Sequence, residues 1–203
     1  MMQTVAIFLY PNVEVLDFAG PYEVFTTASR LHARHHLNDD PLFHVFTVAQ
    51  SNWVRARAGL QVKADCSFDT HPPIDLLIIP GGVVDEELTN QVVLDWILRC
   101  TQQTRIVASV CTGAFLLAKL GLLDGRQATT HWEDTSILQA SFPNVQVVEN
   151  RRWVDLGSLI TSAGISAGID MSLHLVERLH GRSLALATAK LMDVVWTEDT
   201  PVS

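Results

Sequence analysis

Cys111, Asp17 and His131 are the side chains of this 203-residue chain whose types and placement suit covalent chemistry. A thiol is a nucleophile once a base or its surroundings free its proton, and a carboxylate or an imidazole can serve as that base. Cys111 lies within Arg105-Ile-Val-Ala-Ser-Val-Cys-Thr-Gly-Ala-Phe-Leu-Leu-Ala-Lys119. The first half is a short β-branched run suited to a strand buried on both faces, and the second is rich in Ala and Leu and reads as a helix. The bend Ser109-Val-Cys111-Thr-Gly113 has the outline of the G-x-S-x-G nucleophile elbow, with serine for the first glycine and a thiol for the hydroxyl. At a helix N-terminus a thiol meets unpaired N–H groups and the positive end of the helix dipole, which predicts a stabilised thiolate. The competing use of such a cysteine is to fill the strand–helix junction as a small apolar residue.

The elements that must position these groups follow from the same patterning. Residues 5–10 form an unbroken apolar run ended by Pro11-Asn12, the signature of a central parallel strand. Pro21 is well placed at a first helical position, which predicts a helix beginning there and leaves Asp17 in the loop after the strand. Open α/β sheets bind ligands at the C-terminal ends of their strands, so Asp17 is either a reacting carboxylate or a capping one. Residues 74–79 form a second buried strand running into Pro80-Gly81-Gly82. Gly81 and Gly82 allow close backbone approach and are candidates for oxyanion donors to an intermediate on Cys111, or an ordinary strand-to-helix turn. His131 ends a short predicted strand on the same edge, where it is either catalytic or structural.

Residues 85–101 repeat apolar positions at helical spacing, which places Cys100 in the core. Residues 43–49 and a hairpin over residues 54–63 read as edge elements, with Arg55 and Arg57 on a solvated face. Further strands are expected over residues 145–148, 152–156 and 158–161, and a helix over 183–196. Ser162-Ala-Gly-Ile165-Ser166-Ala-Gly-Ile-Asp170 opens another helix, whose small residues suit close packing or a ligand at its N-terminus. Together with residues 22–31, this loop around Ile165 and Ser166 is expected to set pocket specificity. His32 and His36 stand at i, i+4, but no carboxylate or cysteine joins them at a zinc-like spacing, so no metal is expected.

With 48% hydrophobic residues the chain can bury a large core, and it reads as one domain over residues 1–203. A net charge of -8 disfavours nucleic acid or an anionic membrane surface, which leaves a small molecule as the expected partner. Three cysteines without paired spacing suggest neither a disulfide framework nor a C-x-x-C site, and hence a reducing, cytoplasmic compartment. No secretory leader and no apolar run of membrane-spanning length are read from the sequence. There is no G-x-G-x-x-G after a strand and no Walker A motif, so no nucleotide cofactor is expected. Buried strands alternating with helices predict an α/β fold with a mostly parallel central sheet and helices on both faces.

Taken in order, Leu16-Asp-Phe-Ala-Gly-Pro21, Ile79-Pro-Gly-Gly82, Ser109-Val-Cys-Thr-Gly113, Ala128-Thr-Thr-His-Trp132 and Ser162–Asp170 resemble the DJ-1/PfpI (ThiJ/PfpI, class I glutamine amidotransferase-like) superfamily. Within it the chain looks most like the isonitrile hydratase branch, which places an aspartate after the first strand where other branches place glutamate. Protease-like members carry a histidine directly after the nucleophile, and here that residue is Thr112, which argues against peptidase activity. The resemblance implies a flavodoxin-like three-layer sandwich and a homodimer. It also implies attack of Cys111 on an isonitrile carbon, with Asp17 as general acid and base. In that scheme Thr112 and the Gly82 backbone position the sulfur and His131 lines the pocket. Three rivals remain: reversible oxidation of Cys111 as a stress sensor, glyoxalase-like conversion of 2-oxoaldehydes, and the ligand-sensing domain of an AraC-type regulator.

Overall fold

The structure is a computed structural model that describes residues 2–35 and 40–199. Strand β1 (Gln3–Leu9) is followed by helix α1 (Val15–His35), and β2 (Phe43–Ala49) returns parallel to β1. A parallel pair needs a long crossover, which α1 supplies. A small antiparallel hairpin, β3 (Trp53–Arg55) and β4 (Gln61–Lys63), and the short β5 (Cys66–Ser67) come next. Then follow β6 (Leu76–Ile79), α2 (Gln91–Gln103), β7 (Ile106–Val110) and α3 (Gly113–Lys119). The last third holds β8 (Gln127–Ala128), α4 (Thr135–Ser141), β9 (Gln146–Val147), β10 (Trp153–Asp155), β11 (Leu159–Ser162), α5 (Ala167–His180) and α6 (Arg182–Leu191).

Seven strands form one sheet in the order β10-β11-β7-β6-β1-β2-β5, parallel throughout except for the β10–β11 pair. β6 and β7 are buried at every position, as is β1 from Val5 onward, and this is why they read as apolar runs without alternation. Each such Val, Leu or Ile contributes about 1.5–3 kcal/mol by leaving water. Helices flank the sheet: α1, α5 and α6 pack on one another, and α2 lays Trp96 against Phe8 and stacks it on Phe68 at 4.4 Å. The result is the mostly parallel α/β sheet between helices that the patterning predicts, and the flavodoxin-like sandwich that the resemblance implies. Among the described residues no helix is long and apolar enough to cross a membrane.

Several elements differ from expectation. Helix α1 begins at Val15, so Pro21 lies inside it and Asp17 stands in its first turn rather than in a loop. A proline six residues in cannot donate to the carbonyl four residues back, so the Asp17 carbonyl goes without its helical N–H partner. β2 is an inner strand of the main sheet, not an edge element. β8, which precedes His131, pairs only with β9 in a separate two-stranded sheet. Helix α6 stops at Leu191, where Asp193 turns to a φ of 55°. The proposed His32–His36 pairing lies outside the described residues, because His36 is not among them.

Candidate active site

The order in which strands are added reverses at β1: β2 lies on one side of it and β6 on the other, and this opens a crevice at their C-terminal ends. The loops after β1, β6, β7 and β11 meet there. The loop after β7 is the elbow. Cys111 has a φ of 55°, a left-handed conformation that costs a non-glycine residue about 1–3 kcal/mol and persists only when its neighbours impose it. Those neighbours are visible. The Cys111 N–H donates to the Ser162 carbonyl at 3.1 Å, and Thr130 Oγ1 donates to the Cys111 carbonyl at 2.8 Å. A Cβ at Gly113 would stand 2.1 Å from the Ile79 carbonyl oxygen, so only glycine lets the helix start this close to β6.

Asp17 is completely buried and faces the cysteine from the first turn of α1. Its Oδ2 accepts a hydrogen bond from the Gly81 N–H at 3.0 Å. Its Oδ1 is buried without a partner at ordinary hydrogen-bond geometry, although the Cys111 side chain and the Ile165 N–H both favour its charged form. Desolvation outweighs these donors and pushes the Asp17 carboxyl up to about 7. Burial, and then the Asp17 charge, push the Cys111 thiol up to about 12. The stabilised thiolate expected from a helix N-terminus is therefore corrected. Helix α3 has only seven residues, and its dipole does not offset burial beside a carboxylate. Above about pH 7 the coupled pair holds a single proton, which the raised Cys111 thiol keeps and the Asp17 carboxylate is placed to take.

Thr112 and the glycines close the other side. Thr112 Oγ1 donates to the Gly82 carbonyl at 2.9 Å and accepts from the Gly82 N–H at 2.9 Å. The Gly81 N–H is committed to Asp17 and the Gly82 N–H to Thr112, so neither glycine offers the free oxyanion donor expected of it. What they supply is proximity. A Cβ at Gly81 would stand 2.7 Å from Cys111 Cβ and from Thr112 N, and Gly82 has a φ of 144° with no room for a side chain. The Thr112 N–H is the group free to favour negative charge on the sulfur.

A cavity of about 650 Å³ opens over the sulfur. Cys111, Thr112, Gly82, His131 and Ile165 line it, while Asp17 and Gly81 lie behind its wall. Ile165 adopts a φ of 50°, and His131 is fixed against Gly164, where an added Cβ would meet the ring at 2.0 Å. Ser166 does not reach the cavity: its hydroxyl faces Arg152 Nη2 at 3.4 Å, because it starts α5 and points along the β10 side.

Sequence reasoning passed over Arg57, Glu14, Asp85, Glu133 and Asp134, all of which line the cavity. Arg57 is on a solvated face, as expected, and it also borders the cavity because the hairpin folds over the end of β1, with the Asn12 N–H donating to the Arg55 carbonyl at 2.9 Å and the Arg57 N–H to the Val13 carbonyl at 3.0 Å. Glu133 and Asp134 directly follow His131, so the signal for them was adjacency to a residue already singled out.

Comparison with known proteins bears on the family and the fold. The DJ-1/PfpI family profile matches residues 3–178. The chain is 36% identical over 183 residues to an isonitrile hydratase of Pseudomonas putida, covering 89% of this chain and 74% of that protein. It is 31% identical over 190 residues to the HTH-type transcriptional regulator GbdR of Pseudomonas aeruginosa, covering 93% of this chain but spanning only half of the regulator. Among solved structures, a ThiJ/PfpI family protein from Pseudomonas syringae superposes with a TM-score of 0.82 at 27% identity, over all of this chain and 78% of that one.

Proposed function

This chain belongs to the DJ-1/PfpI family, and from that premise we propose that it is a cysteine-dependent lyase that hydrates a small isonitrile to the N-substituted formamide. The observation that carries the reading is the buried Asp17 carboxylate set against the Cys111 thiol at the base of a cavity. An isonitrile carbon is both a carbene-like base and an electrophile, so its hydration needs one group that delivers a nucleophile and one that moves a proton.

Asp17 takes the thiol proton as sulfur attacks the terminal carbon, and that proton is then delivered to the same carbon. The result is a thioimidate, R–N=CH–S, on Cys111. Water adds to its carbon with Asp17 removing a proton, and nitrogen is protonated. Cleavage of the C–S bond releases R–NH–CHO and restores the thiol. The Thr112 N–H lowers the energy of the departing sulfur. His131 borders the cavity, where it orients substrate. We place the enzyme in the cytoplasm as a homodimer; a monomeric mass by light scattering would remove the second part of that statement.

Incubation with an aryl isonitrile, with Cys111→Ala as the blank, tests the reaction. Formamide at the level of the blank overturns it. The 31% identity to GbdR along 93% of the chain favours a second reading, a ligand-sensing domain that binds without turnover. In that case the same incubation gives saturable binding and no product.

A further inference from the structure

The cavity carries more charge than isonitrile hydration requires. Glu14, Asp85, Glu133 and Asp134 line it, against Arg57 and His131. Arg57 is already engaged, its Nη1 lying 3.2 Å from Glu14 Oε2. Among the described residues the other three carboxylates have no arginine or lysine partner, and His131 Nδ1 lies 3.7 Å from both Glu133 and Asp134. Behind the sulfur, fully buried Asp17 keeps one oxygen without a hydrogen-bond partner. The remaining wall is apolar, with Val84, Leu88, Phe115 and Phe142. A concave site lined by one sign of charge concentrates ions of the other sign and excludes its own.

We propose that this cavity selects an organic cation: a small apolar body whose ammonium group sits among Asp85, Glu133 and Asp134 while its reactive carbon meets the Cys111 sulfur. The identity of the reacting group rests on the hydratase reading, whereas the charge preference does not.

Reaction of Cys111 with aminoethyl and with sulfonatoethyl methanethiosulfonate, followed by peptide mass mapping, reads the cavity charge without any turnover. The cationic reagent should react at least about tenfold faster. That ratio should fall toward one in an Asp85→Asn/Glu133→Gln double variant and in about 1 M salt. Equal rates in the wild type, or a ratio unmoved by the double variant, overturn the proposal. Butylammonium should protect Cys111 from neutral iodoacetamide in a saturable way and butyrate should not; equal protection by both also overturns it. With substrates, an ammonium-bearing alkyl isonitrile should exceed its carboxylate-bearing isostere in kcat/KM by at least about tenfold. Neither isonitrile turning over while the reagent ratio persists sinks the hydratase and leaves the cation preference standing. Turnover of both at equal efficiency sinks the cation preference alone.

Discussion

Asp17→Asn separates what the carboxylate does for chemistry from what it does to the fold. The carboxyl is completely buried and its pKa is pushed from the ordinary 3.8 up to about 7. A folded state that holds this proton more tightly than the unfolded chain binds more protons between those two values, so stability falls as pH rises through the window. At 1.36 kcal/mol per unit, the cost is about 4 kcal/mol above pH 7 and only about 1.5 kcal/mol at pH 5. Asparagine keeps the shape and an oxygen for the Gly81 N–H but carries no charge, so it escapes the cost. Its amide does meet the Ile165 N–H as a second donor, which returns part of the gain. The variant should therefore gain stability over the wild type on going from pH 5 to pH 8, by about 2.5 kcal/mol, while losing about 10²–10⁴ in kcat. Urea unfolding at both pH values, alongside the formamide assay, measures both. A difference in unfolding free energy that stays constant between pH 5 and pH 8 would refute the burial argument, and undiminished kcat would refute the base.

On the hydratase reading, turnover by the wild-type protein should rise with pH through about 7 as Asp17 loses its proton, and then hold level, because the Cys111 thiol titrates only near 12; a pH–rate profile falling between 6 and 8 contradicts this assignment. Gly81→Ala drives a Cβ to within 2.7 Å of Cys111 Cβ and Thr112 N, so it should cost about 1–3 kcal/mol and displace the nucleophile, read as a lowered urea midpoint with kcat reduced at least about tenfold. Thr112→Val removes the hydroxyl that joins the Gly82 N–H and carbonyl, leaving both unpaired at a cost of about 1–3 kcal/mol; Thr112→Ser should restore most of that stability and activity in the same melts and assays.

The fold was legible because β1, β6 and β7 are buried on both faces and so carry no polar alternation to confuse them with edge strands. Cys111 was legible for a related reason: a tight elbow needs small neighbours, and Gly113 beside the Ile79 carbonyl is the residue that makes it possible. Asp17 was found but misplaced. The Pro21 signal for a helix start is local, whereas α1 begins earlier because packing on β1, β2, α5 and α6 outweighs one missing hydrogen bond. Arg57 was hidden because its position depends on backbone bonds to Asn12 and Val13, more than forty residues back along the chain. The engagement of the Gly81 and Gly82 N–H groups was hidden for the same reason, since both partners arrive from other elements.

The proton held by the Asp17–Cys111 pair also bears on the choice between catalysis and sensing. Peroxide attacks thiolates, and a sensing cysteine depends on surroundings that lower its pKa. Here burial and a facing carboxylate do the reverse, so between about 7 and about 12 the pair retains its single proton and the resting sulfur is a thiol. Such a site reacts slowly with a small neutral oxidant that does nothing to the surrounding field. It reacts quickly with a ligand that lets Asp17 take the proton as the new bond to sulfur forms. Substrate-coupled proton transfer is thus the chemistry this geometry favours, and it predicts that mild peroxide oxidises Cys111 no faster than an ordinary exposed thiol. Selective oxidation of Cys111 at low peroxide, seen by intact mass and absent in Cys111→Ala, would show that the carboxylate does not hold the sulfur in its protonated form.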